Sequence, residues 1–183
     1  MLAAGQSTRF GTTKQLATFN GMALVTRAVR NAEQTCGNRS VLVTGKDWLA
    51  VATAAGPLRG FLAVNAEFEE GLAGSIKAGV AAVMETADAV LLTLADQPLV
   101  TSDHLDSLVA AWKKAPNFII ASGYSGTIGP PVVFPRDFFP ALMSLQGDCG
   151  AKPILDANRA GVQTIEFCGA GLDIDRPEDL DKL

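Results

Sequence analysis

The side chains best suited to chemistry lie near the start of the chain, in the segment LAAGQSTRFGTTK at residues 2–14. Gly5 and Gly11 bracket a run of small polar residues, and the cations Arg9 and Lys14 stand beside that run. Backbone N–H groups in such a turn can form an anion-binding nest, while Arg grips phosphate oxygens bidentately and Lys adds a compact charge. The segment therefore predicts a polyphosphate cradle, with an ordinary surface turn as the alternative. Its spacing fits neither the Walker loop nor the dinucleotide-binding fingerprint.

A second candidate binding stretch lies at the predicted start of a helix. Gly71, Gly74 and Ser75 come directly before or within its first turn. A helix N-terminus offers free amides and the positive end of the helix dipole, which suit an anion or a carbonyl group. Ser75 is equally well explained as a helix cap.

Three carboxylates are candidates for holding a divalent metal. Asp96 follows the most continuous apolar run, residues 88–95, which is typical of a strand in the middle of a parallel sheet. Ligands bind at the carboxyl ends of such strands, and Mg²⁺ prefers one or two carboxylates together with substrate phosphates. Asp173 and Asp175 share one face of an extended segment and could complete the site. The simpler alternatives are a turn residue for Asp96 and a helix cap for Asp175.

The second half of the chain carries features of an acceptor site. Residues 122–131 are rich in Gly and Pro, which predicts an irregular loop that walls a substrate, with a hairpin connection as the alternative. Asp148 is predicted to cap a following helix, and Lys152 falls in the first turn of that helix. Because a cation is unfavourable at a helix N-terminus, Lys152 indicates an anionic substrate.

The composition limits the classes of protein that fit. The chain has 183 residues, of which 48% are hydrophobic and 19% charged, which is typical of one globular domain. The net charge of -4 argues against a nucleic-acid surface. No apolar run is long enough to span a membrane, so we expect a cytoplasmic protein. Cys36, Cys149 and Cys168 suggest neither a disulfide framework nor a zinc site, and His104 has no second ligand with which to form a metal cluster.

Strand-like and helix-like patterns alternate along the chain. Strands are predicted at residues 2–4, 40–44, 61–64, 88–95, 118–121, 132–134 and 162–167, and helices at about 22–34, 47–55, 76–84, 101–116, 137–145 and 153–157. This order predicts an α/β fold, a three-layer α/β/α sandwich. The first predicted strand is shorter than a typical strand, so the start of the sequence looks truncated.

Six segments taken together resemble the MobA-like nucleotidyltransferases, with the molybdenum cofactor cytidylyltransferases as the most similar branch. They are LAAGQSTRFGTTK (2–14), NAEFEEGLAGS (65–75), LADQP (94–98), GPP (129–131), GDCGAK (147–152) and DIDRPEDL (173–180). The resemblance implies a Rossmann-like nucleotide-diphospho-sugar transferase fold with a mostly parallel central sheet. It also implies a single domain over residues 1–183, whose N-terminal half binds an NTP and whose C-terminal half binds the acceptor.

The resemblance further implies a role for each motif residue. Arg9, Lys14 and Asp96 would be catalytic, and Asp96 and Asp175 would hold the metal, with Asp173 in reserve. The nucleotide would contact Leu2, Ala3, Ala4, Gly5, Ser7, Arg9, Gly11, Lys14, Asn65, Gly71 and Ser75, with Gly71 and Ser75 near the base and ribose. The acceptor would contact Gly129, Pro130, Asp148 and Lys152.

The implied reaction transfers CMP from CTP to the terminal phosphate of molybdopterin and releases pyrophosphate, with Mg²⁺ or Mn²⁺ as cofactor. A molybdoenzyme or its chaperone would be a further partner. Ala4 stands where the guanylyltransferases more often have Gly, which favours CTP over GTP. Transfer to a sugar or polyol phosphate, and a catalytically silent cofactor carrier or chaperone, are the alternatives. Three departures from the family pattern are the short first strand, Ala66, where Pro is usual, and Lys152, where Arg is frequent.

Overall fold

The strands of the computed structural model follow the predicted order closely. The structure describes residues 1–182. The strands are β1 (Leu2–Ala3), β2 (Thr18–Phe19), β3 (Met22–Ala23), β4 (Val41–Thr44), β5 (Phe61–Val64), β6 (Ala89–Leu92), β7 (Ile119–Tyr124), β8 (Thr127–Pro135) and β9 (Val162–Glu166). The small hairpin of β2 and β3 was not predicted, and it takes the place of the first residues of the helix expected from residue 22.

Helices fill the connections between the strands. They are α1 (Leu24–Cys36), α2 (Trp48–Ala55), α3 (Leu72–Ala81), α4 (Ser102–Lys114), α5 (Phe139–Met143) and α6 (Lys152–Ala157). The N-cap of α4 is Thr101, whose hydroxyl accepts a hydrogen bond from the His104 amide. No helix within residues 1–182 has the length and apolar character that crossing a membrane requires.

The short strand β1 lies in the middle of the sheet and joins its two parts. One part has the order β1-β4-β5 and the other the order β6-β8-β7-β9. Leu2 forms a parallel bridge to Leu94, just beyond β6, with hydrogen bonds from Leu2 N to Thr93 O (2.8 Å) and from Ala95 N to Leu2 O (3.0 Å). The sheet therefore runs β5-β4-β1-β6-β8-β7-β9, and β8 is antiparallel to its neighbours.

Side chains that alternate along the strands build a separate core on each face of the sheet. Val41 and Val43 pack with apolar residues of α3, α5 and α6, whereas Leu42 packs with residues of α1 and α2. On that second face, Leu108 of α4 packs against β7 and β8. Successive residues of a strand point to opposite faces, so this pattern confirms the three-layer α/β/α sandwich.

Three local predictions were wrong. The apolar strand β6 is not flanked by parallel strands on both sides, because it pairs antiparallel with β8. Residues 122–131 are not an irregular loop but part of a hairpin, whose turn is made by Ser125 (φ 49°) and Gly126 (φ 74°), the positive dihedrals that two-residue hairpin turns require. Along β7 and β8, Ala121 pairs with Val132 but the next residue, Ser122, pairs with Gly129. This β-bulge leaves Pro130 and Pro131 without partners in the ladder, which is why β8 can contain two prolines.

The third wrong prediction concerns Asp148. Ala151, not Asp148, stands at the N-cap of α6. The Asp148 carboxylate instead accepts a hydrogen bond from the Leu72 amide (3.1 Å) at the start of α3. Asp148 thus caps a helix 76 positions away in sequence from it.

Candidate active site

The loop after β1 is closed by two polar side chains near its base. Ser7 Oγ accepts a hydrogen bond from Lys14 N (3.0 Å), and Gln15 Nε2 donates to Gly5 O (3.1 Å). Gln15 is only 3% exposed, so it anchors the loop from beneath. Ser7 (φ 55°) and Gly11 (φ 82°) adopt left-handed conformations that fold the chain back on itself. The amides of Phe10 and Gly11 both donate to Ser7 O, at 3.0 and 3.2 Å.

Lys14 stands between two of the predicted carboxylates. Its Nζ lies 2.6 Å from Asp96 Oδ2 and 3.1 Å from Asp175 Oδ1. The Lys14 side chain is 11% exposed, against 21% for Asp96 and 50% for Asp175. Burial by itself lowers the pKa of Lys14, but the charges and hydrogen bonds of Asp96 and then Asp175 outweigh it and raise the pKa above its ordinary value.

Arg9 reaches the same cluster from the solvent side. Its Nη1 lies 3.5 Å from Asp175 Oδ2, and both side chains are well exposed. Exposed ion pairs of this kind contribute little stability because water screens them. Arg9 can therefore exchange Asp175 for a phosphate at small energetic cost.

Asp96 has one oxygen that the protein leaves unsatisfied. Oδ2 bonds Lys14, whereas Oδ1 is buried and has no hydrogen-bond partner within residues 1–182. An unpaired buried carboxylate oxygen is costly, and a divalent cation would satisfy it. The backbone of Asp96 is held as well, because its carbonyl accepts a hydrogen bond from Ile174 N at 2.9 Å.

The charges of this cluster shift the pKa of Asp173. Desolvation by the surrounding protein, and then the negative charge of Asp96, raise the pKa of Asp173 from 3.8 to about 6. The charge of Asp175 acts in the same direction. Asp96, Asp173 and Asp175 do not form a three-ligand metal cage, since the described chain contains no group of three or more Asp, Glu, His or Cys side chains with metal-site spacing. The donor set instead fits a metal held by one or two carboxylates and completed by substrate oxygens.

Two of the residues expected to contact the nucleotide, Asn65 and Ser75, form hydrogen bonds within the protein. Asn65 Nδ2 donates to Ser75 Oγ (3.1 Å), and Asn65 Oδ1 accepts from Glu67 N (3.0 Å). Asn65 and Ser75 are 6% and 3% exposed. Ser75 does not cap α3, and together with Asn65 it fixes the turn that leads into that helix.

The start of α3 is closely covered by the segment around Gly147. Gly71 has φ 98°, and a Cβ added there would lie 2.6 Å from Gly147 O. The Ala73 amide donates to Gly147 O at 3.1 Å, next to the Asp148 cap. The first two amides of α3 are therefore used within the protein, which leaves fewer of them for a ligand than the sequence suggested.

A cleft of about 320 Å³ opens beside this contact. It is lined by Glu70, Ala73, Gly74, Lys77, Gln146 and Gly147. Lys77 was not among the predicted site residues. It lies within α3 and faces the segment that carries Asp148.

Gln97 links the Asp96 strand end to the predicted acceptor side. Its Nε2 donates to Ala170 O (2.8 Å) and to Pro130 O (3.3 Å). Gln97 is 4% exposed, and its Oε1 has no partner in the part of the chain that the structure describes. The only sequence signal for this role is its position directly after Asp96.

The predicted acceptor residues lie in two separate places. Gly129 and Pro130 belong to β8, where a Cβ on Gly129 would collide with Tyr124 Oη at 2.2 Å. Lys152 begins α6 on the surface and takes part in none of the ion pairs within residues 1–182. Neither group is brought into contact with Lys14.

His104 is tied into the core and not into the cluster around Lys14. Its ring stacks on Phe167 with centroids 4.1 Å apart, and Nε2 lies 2.8 Å from Ser122 Oγ. Because the Ser122 hydroxyl donates to Pro131 O (2.8 Å), the ring must donate its Nε2 proton to Ser122. This bond fixes α4 against the hairpin.

Comparison with known proteins agrees with this architecture. The profile of the MobA-like NTP transferase domain matches residues 1–162. The chain is 31% identical to the purine catabolism protein PucB of Bacillus subtilis (strain 168), covering 100% of this chain and 93% of PucB. It is 29% identical to nicotine blue oxidoreductase of Paenarthrobacter nicotinovorans, covering 100% of this chain and 94% of that protein.

A solved structure of similar fold contains a metal. Rv0371c from Mycobacterium tuberculosis H37Rv in complex with manganese superposes with a TM-score of 0.80 at 25% identity, covering 100% of this chain and 94% of Rv0371c. The fold is the Rossmann-like nucleotide-diphospho-sugar transferase fold. This chain therefore belongs to the family of the MobA-like NTP transferase domain.

Proposed function

We propose that this protein transfers CMP from CTP to the terminal phosphate of molybdopterin and releases pyrophosphate. The observation that carries the proposal is the position of Lys14, at the end of the Gly5–Gly11 loop and between Asp96 and Asp175. Asp96 and the loop both follow strand ends at the carboxyl edge of the sheet, where open α/β sheets bind ligands. A nucleotidyl transfer needs cationic and metal-binding groups together at one phosphate, and this cluster supplies both.

The loop would hold the triphosphate of CTP. The backbone amides of this loop other than those of Phe10 and Gly11, which donate to Ser7 O, would face the phosphates. Ser7 would fix the loop, and Arg9 and Lys14 would balance the phosphate charge. Leu2, Ala3 and Ala4 lead the backbone toward the cytosine. Asn65, Gly71 and Ser75 shape the base and ribose side through the turn before α3.

The reaction needs no nucleophile from the protein. An oxygen of the acceptor phosphate attacks the α-phosphorus of CTP, a new P–O bond forms, and the bond from that phosphorus to the bridging oxygen breaks. The electron pair of the broken bond leaves with pyrophosphate. Lys14 and Arg9 stabilise the charge that develops on the phosphate oxygens, and no general base is required because the acceptor phosphate is already ionised.

Asp96 would hold the divalent metal through its unsatisfied Oδ1, with Asp175 as the second carboxylate and Asp173 beside them. Bound Mg²⁺ or Mn²⁺ acts as a Lewis acid that neutralises phosphate charge. The manganese complex of Rv0371c supports divalent metal use in this fold.

The acceptor would approach from the C-terminal half of a single domain. Gly129 and Pro130 offer a backbone wall next to Gln97. Asp148 and Lys152 would be a second group of acceptor contacts, and the exposed ammonium of Lys152 suits an anionic acceptor. We expect the protein to work in the cytoplasm, where a molybdoenzyme or its chaperone would receive the product.

The decisive experiment measures pyrophosphate release with molybdopterin and Mg²⁺ or Mn²⁺ from CTP, GTP, ATP and UTP in parallel. We expect release from CTP, and Asp96→Asn should lower it by at least about 10²-fold because one buried metal-binding oxygen is lost. Asp106→Asn, on the exposed face of α4, is the matched control and should retain the rate.

Other outcomes would replace the proposal by a named alternative. Release from GTP alone would indicate a guanylyltransferase. Pyrophosphate release only when a sugar phosphate or polyol phosphate replaces molybdopterin would identify that phosphate as the acceptor. Tight molybdopterin binding without turnover of any nucleotide, unchanged in Asp96→Asn, would indicate a cofactor carrier.

A further inference from the structure

The aromatic ring of Tyr124 crosses the hairpin of β7 and β8. Tyr124 is the last residue of β7 and pairs with Thr127 of β8. Its hydroxyl nevertheless lies over Gly129, because a Cβ added to Gly129 would be 2.2 Å from Tyr124 Oη and 3.2 Å from Cζ. Since β8 lies between β7 and β6 in the sheet, the phenol extends in the direction of β6, the strand that leads to Asp96.

Two glycines make room for this ring. Gly129 lies under the hydroxyl end, and Gly171 lies against the ring, where an added Cβ would be 3.0 Å from Tyr124 Cδ2 and 3.4 Å from Cγ. Neither glycine has a positive φ, so the backbone conformation does not require glycine at these positions. The space that the phenol occupies does require it, and any larger residue at position 129 would displace the hydroxyl.

The hydroxyl of Tyr124 has no hydrogen-bond partner within residues 1–182. It is not one of the buried polar atoms that are unpaired in this part of the chain, so water or a ligand can reach it. Burial, and then the charge of Asp173, raise the pKa of Tyr124 above its ordinary value. The hydroxyl is therefore protonated at neutral pH and available as a hydrogen-bond donor.

Tyr124 lies at the same edge of the sheet as the cluster around Lys14. Strands β6 and β7 are parallel to each other, because both pair antiparallel with β8. Tyr124 ends β7, and Asp96 follows the end of β6. Gln97 bonds Pro130 O at 3.3 Å, next to Gly129. A ligand that extends from Asp96 along this contact toward the hairpin therefore meets the Tyr124 hydroxyl.

We propose that the Tyr124 hydroxyl donates a hydrogen bond to a phosphate oxygen of the acceptor and orients that phosphate for attack on the nucleotide. This inference rests on the proposed nucleotidyl transfer. An ionised phosphate oxygen only accepts hydrogen bonds, and a bond from a phenol to a charged oxygen is stronger than one between neutral groups. Tyr124 acts on the acceptor and not on CTP, whose triphosphate is assigned to the loop after β1.

The first test compares the two substrates of Tyr124→Phe in steady-state pyrophosphate release. Phe keeps the ring between the two glycines and removes only the hydroxyl, so the melting temperature should not change. We expect the KM for molybdopterin to rise at least about tenfold, because a hydrogen bond to a charged group is lost, and the KM for CTP to stay the same. Thr86→Val removes an exposed hydroxyl just before β6, at the other edge of the sheet, and should change neither KM.

The second test does not depend on turnover. The chain contains one tyrosine, so protein made with ¹³Cζ-labelled tyrosine gives a single NMR signal that reports Tyr124 alone. Inorganic phosphate, as a probe of the acceptor phosphate, is added to the protein in the presence of CTP and Mg²⁺. We expect phosphate to move the signal, and sodium chloride at the same ionic strength to leave it in place.

An unchanged KM for molybdopterin in Tyr124→Phe, or an equal rise in both KM values, would overturn the proposal. So would a tyrosine signal that neither phosphate nor molybdopterin moves, or one that responds fully to CTP alone, since Tyr124 would then contact the nucleotide. If the unmodified protein releases no pyrophosphate from any nucleotide, the proposed transfer is wrong. The NMR signal still decides in that case whether Tyr124 binds a phosphate.

Discussion

Lys14 is the residue on which the geometry of the site converges, since it neutralises two carboxylates that would otherwise repel each other. We predict that Lys14→Met lowers turnover by about 10²–10³-fold, because a phosphate-facing cation is lost. Lys113→Met removes an exposed lysine from the far end of α4 and should leave turnover unchanged. Steady-state rates of pyrophosphate release check this, and a loss below about threefold would contradict the assigned role.

Asp173 makes stability depend on pH in the metal-free protein. Its pKa of about 6 lies above the ordinary 3.8, so between these values the folded protein binds more protons than the unfolded chain, and stability falls as pH rises through this window. We predict that Asp173→Asn, which cannot ionise, raises the melting temperature more at pH 7.5 than at pH 4. The side chain still reaches solvent, so the gain should be modest.

Thermal melts of both proteins at the two pH values, with EDTA present, measure the difference. An equal gain in melting temperature at both pH values would show that desolvation and the charge of Asp96 do not raise the pKa of Asp173.

At the scale of elements, the contact between the start of α3 and residues 147–148 depends on Gly71. We predict that Gly71→Ala destabilises the fold by about 1–3 kcal/mol, because the methyl group meets Gly147 O in a backbone conformation that already disfavours a side chain. Gly161→Ala is the matched control, since Gly161 has open space and no positive φ. Urea unfolding of both variants compares them, and equal midpoints would contradict the prediction.

Local sequence patterns predict individual elements, but they do not predict contacts between residues that are far apart in the sequence. The strand β5 was predicted with its observed bounds, and the Gly5–Lys14 loop was located, because short-range patterns determine them. The bond from Asp148 to Leu72 spans 76 positions, so no local signal could reveal it, and the same holds for Gln97 with Ala170. The hairpin at Ser125 and Gly126 was only the alternative to an irregular loop, because Gly and Pro residues suit both, and only the strand pairing distinguishes the two.

At the scale of the whole molecule, the candidate site is made from both ends of the chain. Lys14 comes from the first loop and Asp175 from near the C-terminal end, so a ligand that binds both should tie the fold together. We predict that CTP with Mn²⁺ raises the melting temperature more than the sum of the shifts with either alone, because the metal and the triphosphate would bind each other in the site and so bind the folded state more tightly together than separately.

Differential scanning fluorimetry measures those shifts, and EDTA should reduce the combined shift to that of CTP alone. In Asp96→Asn the excess over the sum should disappear. An additive response in the unmodified protein would separate nucleotide binding from metal binding and contradict this prediction.

The two halves of the sheet are joined through Leu2 by hydrogen bonds to Thr93 O and from Ala95 N. The core on one face of the sheet runs across this line, because it contains Val41 and Val43 of β4 together with Val132 and Phe134 of β8. Leu2 belongs to that same core, so β1 fastens the two parts of the sheet to each other both through its backbone and through a buried side chain. The loop from Gly5 to Lys14 therefore starts from a fixed point beside Asp96.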